Sequence, residues 1–218
     1  MKQAERFQWR MMSIAGILVA LSGLGTPMAQ AENIIDEWST VKAPPPPELK
    51  PVSIDAGSTA LIVMDISTQS CTVEKRPRCV ATLPAVQKLI TEARAKGVFI
   101  LYTLAGSSRR ADIVKEVAPL AAEQALSGAG PDKFLGIDLD TILKGKNIKT
   151  LITVGTAAEG AVLHTAAGAA FRGFDVVVPV DGMSSTNIYA EQYTAWHLTH
   201  APRLADRVKL TKVDMIKF

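Results

Sequence analysis

The chain has 218 residues, and the roughly 187 that follow residue 31 suit a single domain with a sizeable core. Its formal net charge of +3 vanishes almost entirely when residues 1–31 are set aside, since these hold three basic residues and one acidic, leaving 21 Lys and Arg against 20 Asp and Glu. So even a balance argues against a nucleic-acid partner, which would need a clustered basic stripe.

In chain order, Lys2, Arg6 and Arg10 come first. An apolar run from about Met11 to Leu24 follows, and then small residues ending Ala29-Gln30-Ala31. This order is that of a signal peptide cleaved after Ala31, and the run falls short of the roughly 20 residues a membrane span requires. The chain is therefore expected in the periplasm or outside the cell, with no membrane anchor left after cleavage. Cys71 and Cys79, eight apart, are then free to form a local disulfide, provided their Cα atoms come close enough.

Residues 32–57 carry Pro44–Pro47, which favours an extended strap outside the core sheet. The domain proper is expected over 58–218. Apolar, β-branched runs at 59–65, 98–104, 148–155 and 174–180 lack alternation and read as strands buried on both faces. Between them, apolar spacing predicts helices over about 83–96 (ending at Gly97), 111–126, 139–143, 160–172 and 190–200, with a loop at 127–136. Strands alternating with helices give an α/β fold: a three-layer α/β/α sandwich around a doubly wound, mostly parallel sheet of five to six strands.

Ligands of such sheets bind beyond the carboxyl ends of the strands, where the strand order reverses. Asp65 ends the first strand there, and its position suits either a site or a turn or helix-cap carboxylate. The stretch from Val154 to Gly173 runs from a strand through a turn into a helix of small residues. The helix start offers free backbone N–H groups, so Ala157, Ala158, Glu159 and Gly160 are candidates to bind an anionic group or developing oxyanion. Ala161, Thr165, Gly168 and Ala169 would let this helix approach the sheet closely. The spacing of "GTAAEG" matches neither a dinucleotide fingerprint nor a phosphate loop.

Together "TALIVMDIS", "DKFLGIDLDTIL" and "LITVGTAAEGAVLHTAAGAAFRGFDVVVPVDGMSS" resemble the isochorismatase-like hydrolases, also called cysteine hydrolases, from about Thr59 to Ser185. Gly155, Val162, Thr165, Ala169, Gly173 and Asp181 fall where the family pattern expects them. The resemblance implies the doubly wound sheet, homo-oligomers with sites near subunit contacts, and a triad of Asp, Lys and Cys beside a cis peptide bond. Asp65 matches the family aspartate. Lys133 is the candidate lysine, although it sits directly before Phe134, nearer than in the common pattern, and an exposed loop lysine is the alternative reading. The family cysteine falls on Ala161, which forms no thioester or acyl intermediate. Some relatives with a small residue there use the aspartate as a general acid toward a vinyl ether, with water completing hydrolysis, which needs a carboxyl group able to hold a proton. Isochorismate itself, a cytoplasmic metabolite, does not suit an exported chain.

The function expected is an exported hydrolase of a small metabolite, with Asp65 as acid or base and Lys133 as its partner. Two alternatives stand beside it: an inactive family member that binds or interacts, and a cysteine hydrolase with Cys71 as a displaced nucleophile. His197 and His200 lack convincing further ligands, and "LYTLAGSSRR" (101–110) lacks the Asp and His of metal-binding relatives, so no metal and no cofactor is expected. His164 reads as a packing residue, and Arg109 and Arg110 as a solvated loop or a carboxylate clamp.

Overall fold

The computed structural model describes residues 33–218, so the expected signal peptide lies outside the described residues. Two compact units divide between Ala43 and Pro44. In the first, Asn33 accepts the Ile35 N–H at 2.8 Å and caps the short helix α1 (Ile34–Glu37).

The second unit opens on the proline run. The Gln192 side chain donates to the Pro44 carbonyl and the Lys50 N–H to the Leu210 carbonyl, so this segment runs outside the main sheet. It then pairs β1 (Val52–Ser53) with β9 (Ile216–Lys217) in a separate two-stranded parallel sheet. The main sheet holds β2 (Thr59–Met64), β3 (Phe99–Leu104), β4 (Gln124–Ser127), β5 (Thr150–Thr156), β6 (Asp175–Pro179) and β8 (Val208–Thr211). All are parallel, in the order β4-β3-β2-β5-β6-β8, and β7 (Met183–Ser184) pairs with the end of β5. Helix α2 (Pro77–Ala95) packs on one face; α3 (Leu139–Gly145), α4 (Leu163–Phe171) and α5 (Ile188–His200) cover the other.

This is the expected three-layer sandwich, and its central strands β2 and β5 are buried on both faces. Every residue of β2 is buried, and complete burial of a side chain such as Leu61, Ile62 or Val63 stabilises the fold by about 1.5–3 kcal/mol. From β2 the chain winds outward through β3 and β4, then crosses back to β5 and winds the other way. The strand order therefore reverses between β2 and β5, and the crevice lies beyond Met64 and Thr156.

One expected helix is absent. Residues 111–126 form two short 3-10 turns, Arg110–Asp112 and Lys115–Val117, and then β4. Pro119 lacks an N–H for a helix interior, and arginine side chains take up the local carbonyls: Arg94 donates to Ala118 and Arg110 to Leu120 and Glu123. Helix α2 begins six residues before Leu83, at Pro77, because a proline in the first turn has no N–H to leave unbonded.

Cys71 and Cys79 are joined by a disulfide, with Cα atoms 5.3 Å apart and both side chains buried. A cross-link across eight residues restricts the unfolded chain by about 2.5 kcal/mol. Reduction, or the Cys71→Ser/Cys79→Ser pair, is expected to lower the unfolding free energy by that amount in a denaturant titration.

Candidate active site

Strand alternation by itself would send the Asp65 side chain toward α2. Leu61 and Val63 belong to the apolar layer on the α2 side, and Ile62 and Met64 to the layer of α3, α4 and α5. Asp65 instead adopts a left-handed backbone with φ +59°, a conformation that aspartate tolerates better than most residues. Its carboxylate thereby meets partners from the opposite layer. Oδ1 accepts the Thr103 hydroxyl at 2.8 Å, and Oδ2 lies 2.7 Å from Lys133 Nζ. The Asp65 N–H donates to the Thr103 carbonyl, which fixes the turn.

Lys133 is no exposed loop lysine: its side chain is 2% exposed, against 9% for Asp65. The loop that carries it is seated on α4. Lys133 donates its backbone N–H to the Thr165 hydroxyl, which donates in turn to the Pro131 carbonyl. A Cβ at Gly168 would lie 2.8 Å from the Asp132 carboxylate. Thr165 and Gly168 thus make room for the lysine loop, not for the sheet as their small size suggests in the sequence. Lys133 Nζ also donates to the Gly130 carbonyl, and Phe134 stacks on Phe174 with ring centroids 6.1 Å apart. Thr165 lies four residues beyond Ala161, one turn along the helical run, so the lysine loop crosses the face on which Ala161 sits.

Beyond β5 the backbone is constrained. Gly155 has φ +133°, and a Cβ there would fall 2.1 Å from the Met64 carbonyl oxygen. The Thr156–Ala157 peptide is cis. A single π turn, Ala158–Val162, precedes α4 in place of the α-helical start expected near Gly160. Gly160 and Val162 both donate to the Ala157 carbonyl, while Ala158 and Glu159 stand in the opening turn, where no earlier helical carbonyl is in reach. Ala161 is 3% exposed and belongs to the apolar cluster of Met64, Phe134 and Leu163.

Other candidate residues lie elsewhere or are engaged. His197 meets the Tyr193 hydroxyl at 3.2 Å, and His200 stacks on Trp196; His164 is exposed on α4. Arg110 is committed to its own loop, and Arg109 is exposed beside Asp112. The disulfide removes Cys71 as a displaced nucleophile, because a sulfur bonded to sulfur is not a thiolate.

Sequence reasoning misses Thr103, whose only signal is a hydroxyl near the end of the apolar run "FILYTL". It also misses a polar chain in which Arg78 grips Glu191, Glu191 accepts the Ser185 N–H, and the Ser185 hydroxyl donates to Glu159 Oε1 at 2.9 Å. Three surface clefts, of about 620, 520 and 470 Å³, are lined by neither Asp65, Lys133 nor Ala161. The smallest of them borders Met183, Arg78 and Glu191.

A doubly wound parallel sheet with a buried Asp–Lys pair where its strand order reverses defines a three-layer α/β protein with a candidate site at the carboxyl ends of its strands. The isochorismatase domain matches residues 59–206, and the chain belongs to that hydrolase family. It is 28% identical over 141 residues to the N-carbamoylsarcosine amidase of an Arthrobacter species, covering 49% of this chain and 53% of that protein. It is 29% identical over 118 residues to a secreted isochorismatase effector of Verticillium dahliae, covering 50% and 62%. The chain thus spans under two thirds of the length of both curated relatives. In structure it resembles an isochorismatase family protein from Desulfovibrio vulgaris, with a TM-score of 0.66 at 19% identity, covering 72% of this chain and 95% of the other, a likeness of fold.

Proposed function

We propose that the protein is an exported hydrolase of a small metabolite that works without a cysteine nucleophile. Asp65 exchanges a proton with the substrate, Lys133 holds and orients its carboxylate, and within the turn over Ala157, Ala158, Glu159 and Gly160 the N–H groups of Ala158 and Glu159 meet developing negative charge, that of Gly160 being held by the Ala157 carbonyl. Water takes the part that a thiolate would play at position 161. The observation that carries this reading is the 2.7 Å contact between Lys133 and Asp65, buried where the strand order reverses. Export is supported by the residues expected as a signal peptide, by a disulfide suited to an oxidising compartment, and by a relative that is itself described as secreted. The reading includes a homo-oligomer, supported by the exposed Ile188, Tyr189 and Tyr193 on α5.

The test is Asp65→Asn. Asparagine also accepts a left-handed backbone and can still receive a hydrogen bond from Lys133, so the fold is expected to persist. Turnover of a panel of small enol ethers, esters and amides is expected to fall at least about 100-fold. An Asp65→Asn protein as active as its parent would end the acid–base reading. A second reading, a family fold kept for binding alone, draws on Ala161 packed in the apolar cluster and on clefts that lie away from Asp65. A parent protein inactive on the whole panel would favour it.

A further inference from the structure

Arg76 and Arg78 stand two residues apart at the start of α2, and their guanidinium groups meet different fates. The fork of Arg78, Nε and Nη2, closes on both carboxylate oxygens of Glu191. Arg76 donates from Nη1 to the Thr156 hydroxyl at 2.5 Å, and that hydroxyl donates onward to the Ser184 carbonyl at 3.2 Å. Its Nε is buried and has no hydrogen-bond partner among the described residues. The Nε–Nη2 edge, the one that fits a carboxylate in a bidentate grip, therefore meets no protein carboxylate.

The group is held in place. Thr72 accepts the Arg76 N–H at 2.8 Å, the disulfide brackets the segment, and Pro77 follows at once. It is also well placed. Gly155 pairs with Met64, so Thr156 and Asp65 each follow the last paired position of two neighbouring strands, at the reversal point. A buried donor left without a partner is destabilising, and a ligand oxygen at this edge would remove that cost.

We propose that Arg76 determines specificity at the Asp65 site by receiving a carboxylate group of the substrate on its Nε–Nη2 edge. This rests on Asp65 marking the active centre, and it names the substrate class as a carboxylic acid. The loop closed by Cys71 and Cys79 pre-orders the arginine for that contact.

Benzoate and its neutral counterpart benzamide are the probes, titrated calorimetrically into the full chain. The parent protein is expected to bind benzoate in preference to benzamide. Arg76→Met, which keeps an apolar stem, and Arg76→Lys, which keeps the charge but not the fork, are each expected to weaken benzoate at least about tenfold. Asp65→Asn is expected to retain benzoate binding, so the two readings fail separately: full turnover in that variant removes the catalytic claim and leaves the fork intact. Equal benzoate affinity in parent and Arg76→Met overturns the proposal. If the Arg76 variants do not fold, a parent protein that takes benzamide as tightly as benzoate, or binds neither, overturns it as well.

Discussion

Lys133→Met is expected to lower the unfolding free energy by about 3–5 kcal/mol, which for a chain of this length is a fall of roughly 10 °C in thermal midpoint. Methionine replaces the aliphatic stem but brings no charge. Asp65, with a side chain 9% exposed, would keep the Thr103 hydroxyl and lose its only ion-pair partner among the described residues. Solvent offers little replacement, so the cost is that of an unpaired charge in a low-dielectric site and not that of a surface salt bridge. The same reasoning predicts partial rescue. In Asp65→Asn/Lys133→Met neither charge remains, and the double variant is expected to be more stable than Lys133→Met alone. A thermal midpoint within about 2 °C of the parent for Lys133→Met would show that the pair is not buried in solution.

Gly155→Ala is expected to cost more than about 4 kcal/mol, a large share of the stability of an ordinary domain. The added Cβ would meet Met64 backbone on three sides, with its carbonyl oxygen at 2.1 Å, carbon at 2.8 Å and nitrogen at 2.9 Å. No rotamer relieves a clash with a neighbouring strand's main chain, and φ +133° is unsuited to alanine in any case. Either β5 parts from β2 or Asp65 shifts, so loss of fold and loss of turnover should go together. Gly160→Ala is the control in the same turn. Its Cβ would find only Ala157 Cβ at 3.7 Å, an ordinary contact, and the thermal midpoint is expected to change by less than about 2 °C.

Much of the architecture is written locally. Strands covered on both faces must be continuous apolar runs, so β2, β3, β5 and β6 each stand out from a handful of adjacent residues. Pro77 and Gly97 bound α2 through backbone preferences of single residues. β4 escapes notice because four residues, "QALS", carry too little pattern to outweigh a helical spacing on either side. The two members of the candidate pair can be named from sequence, but their meeting cannot.

That meeting depends on contacts between residues far apart in the chain. Lys133 is buried because Thr165 and Gly168 accept its loop; Asp65 faces it because a left-handed residue breaks the alternation of β2. Arg76 reaches Thr156 across 80 residues. By itself the sequence determined which segments are strands and helices, since those preferences act over a few neighbouring residues. Only the tertiary structure decided which strand ends become neighbours, and hence which charges are paired and which donor is left open, because burial and pairing exist only after the sheet has assembled.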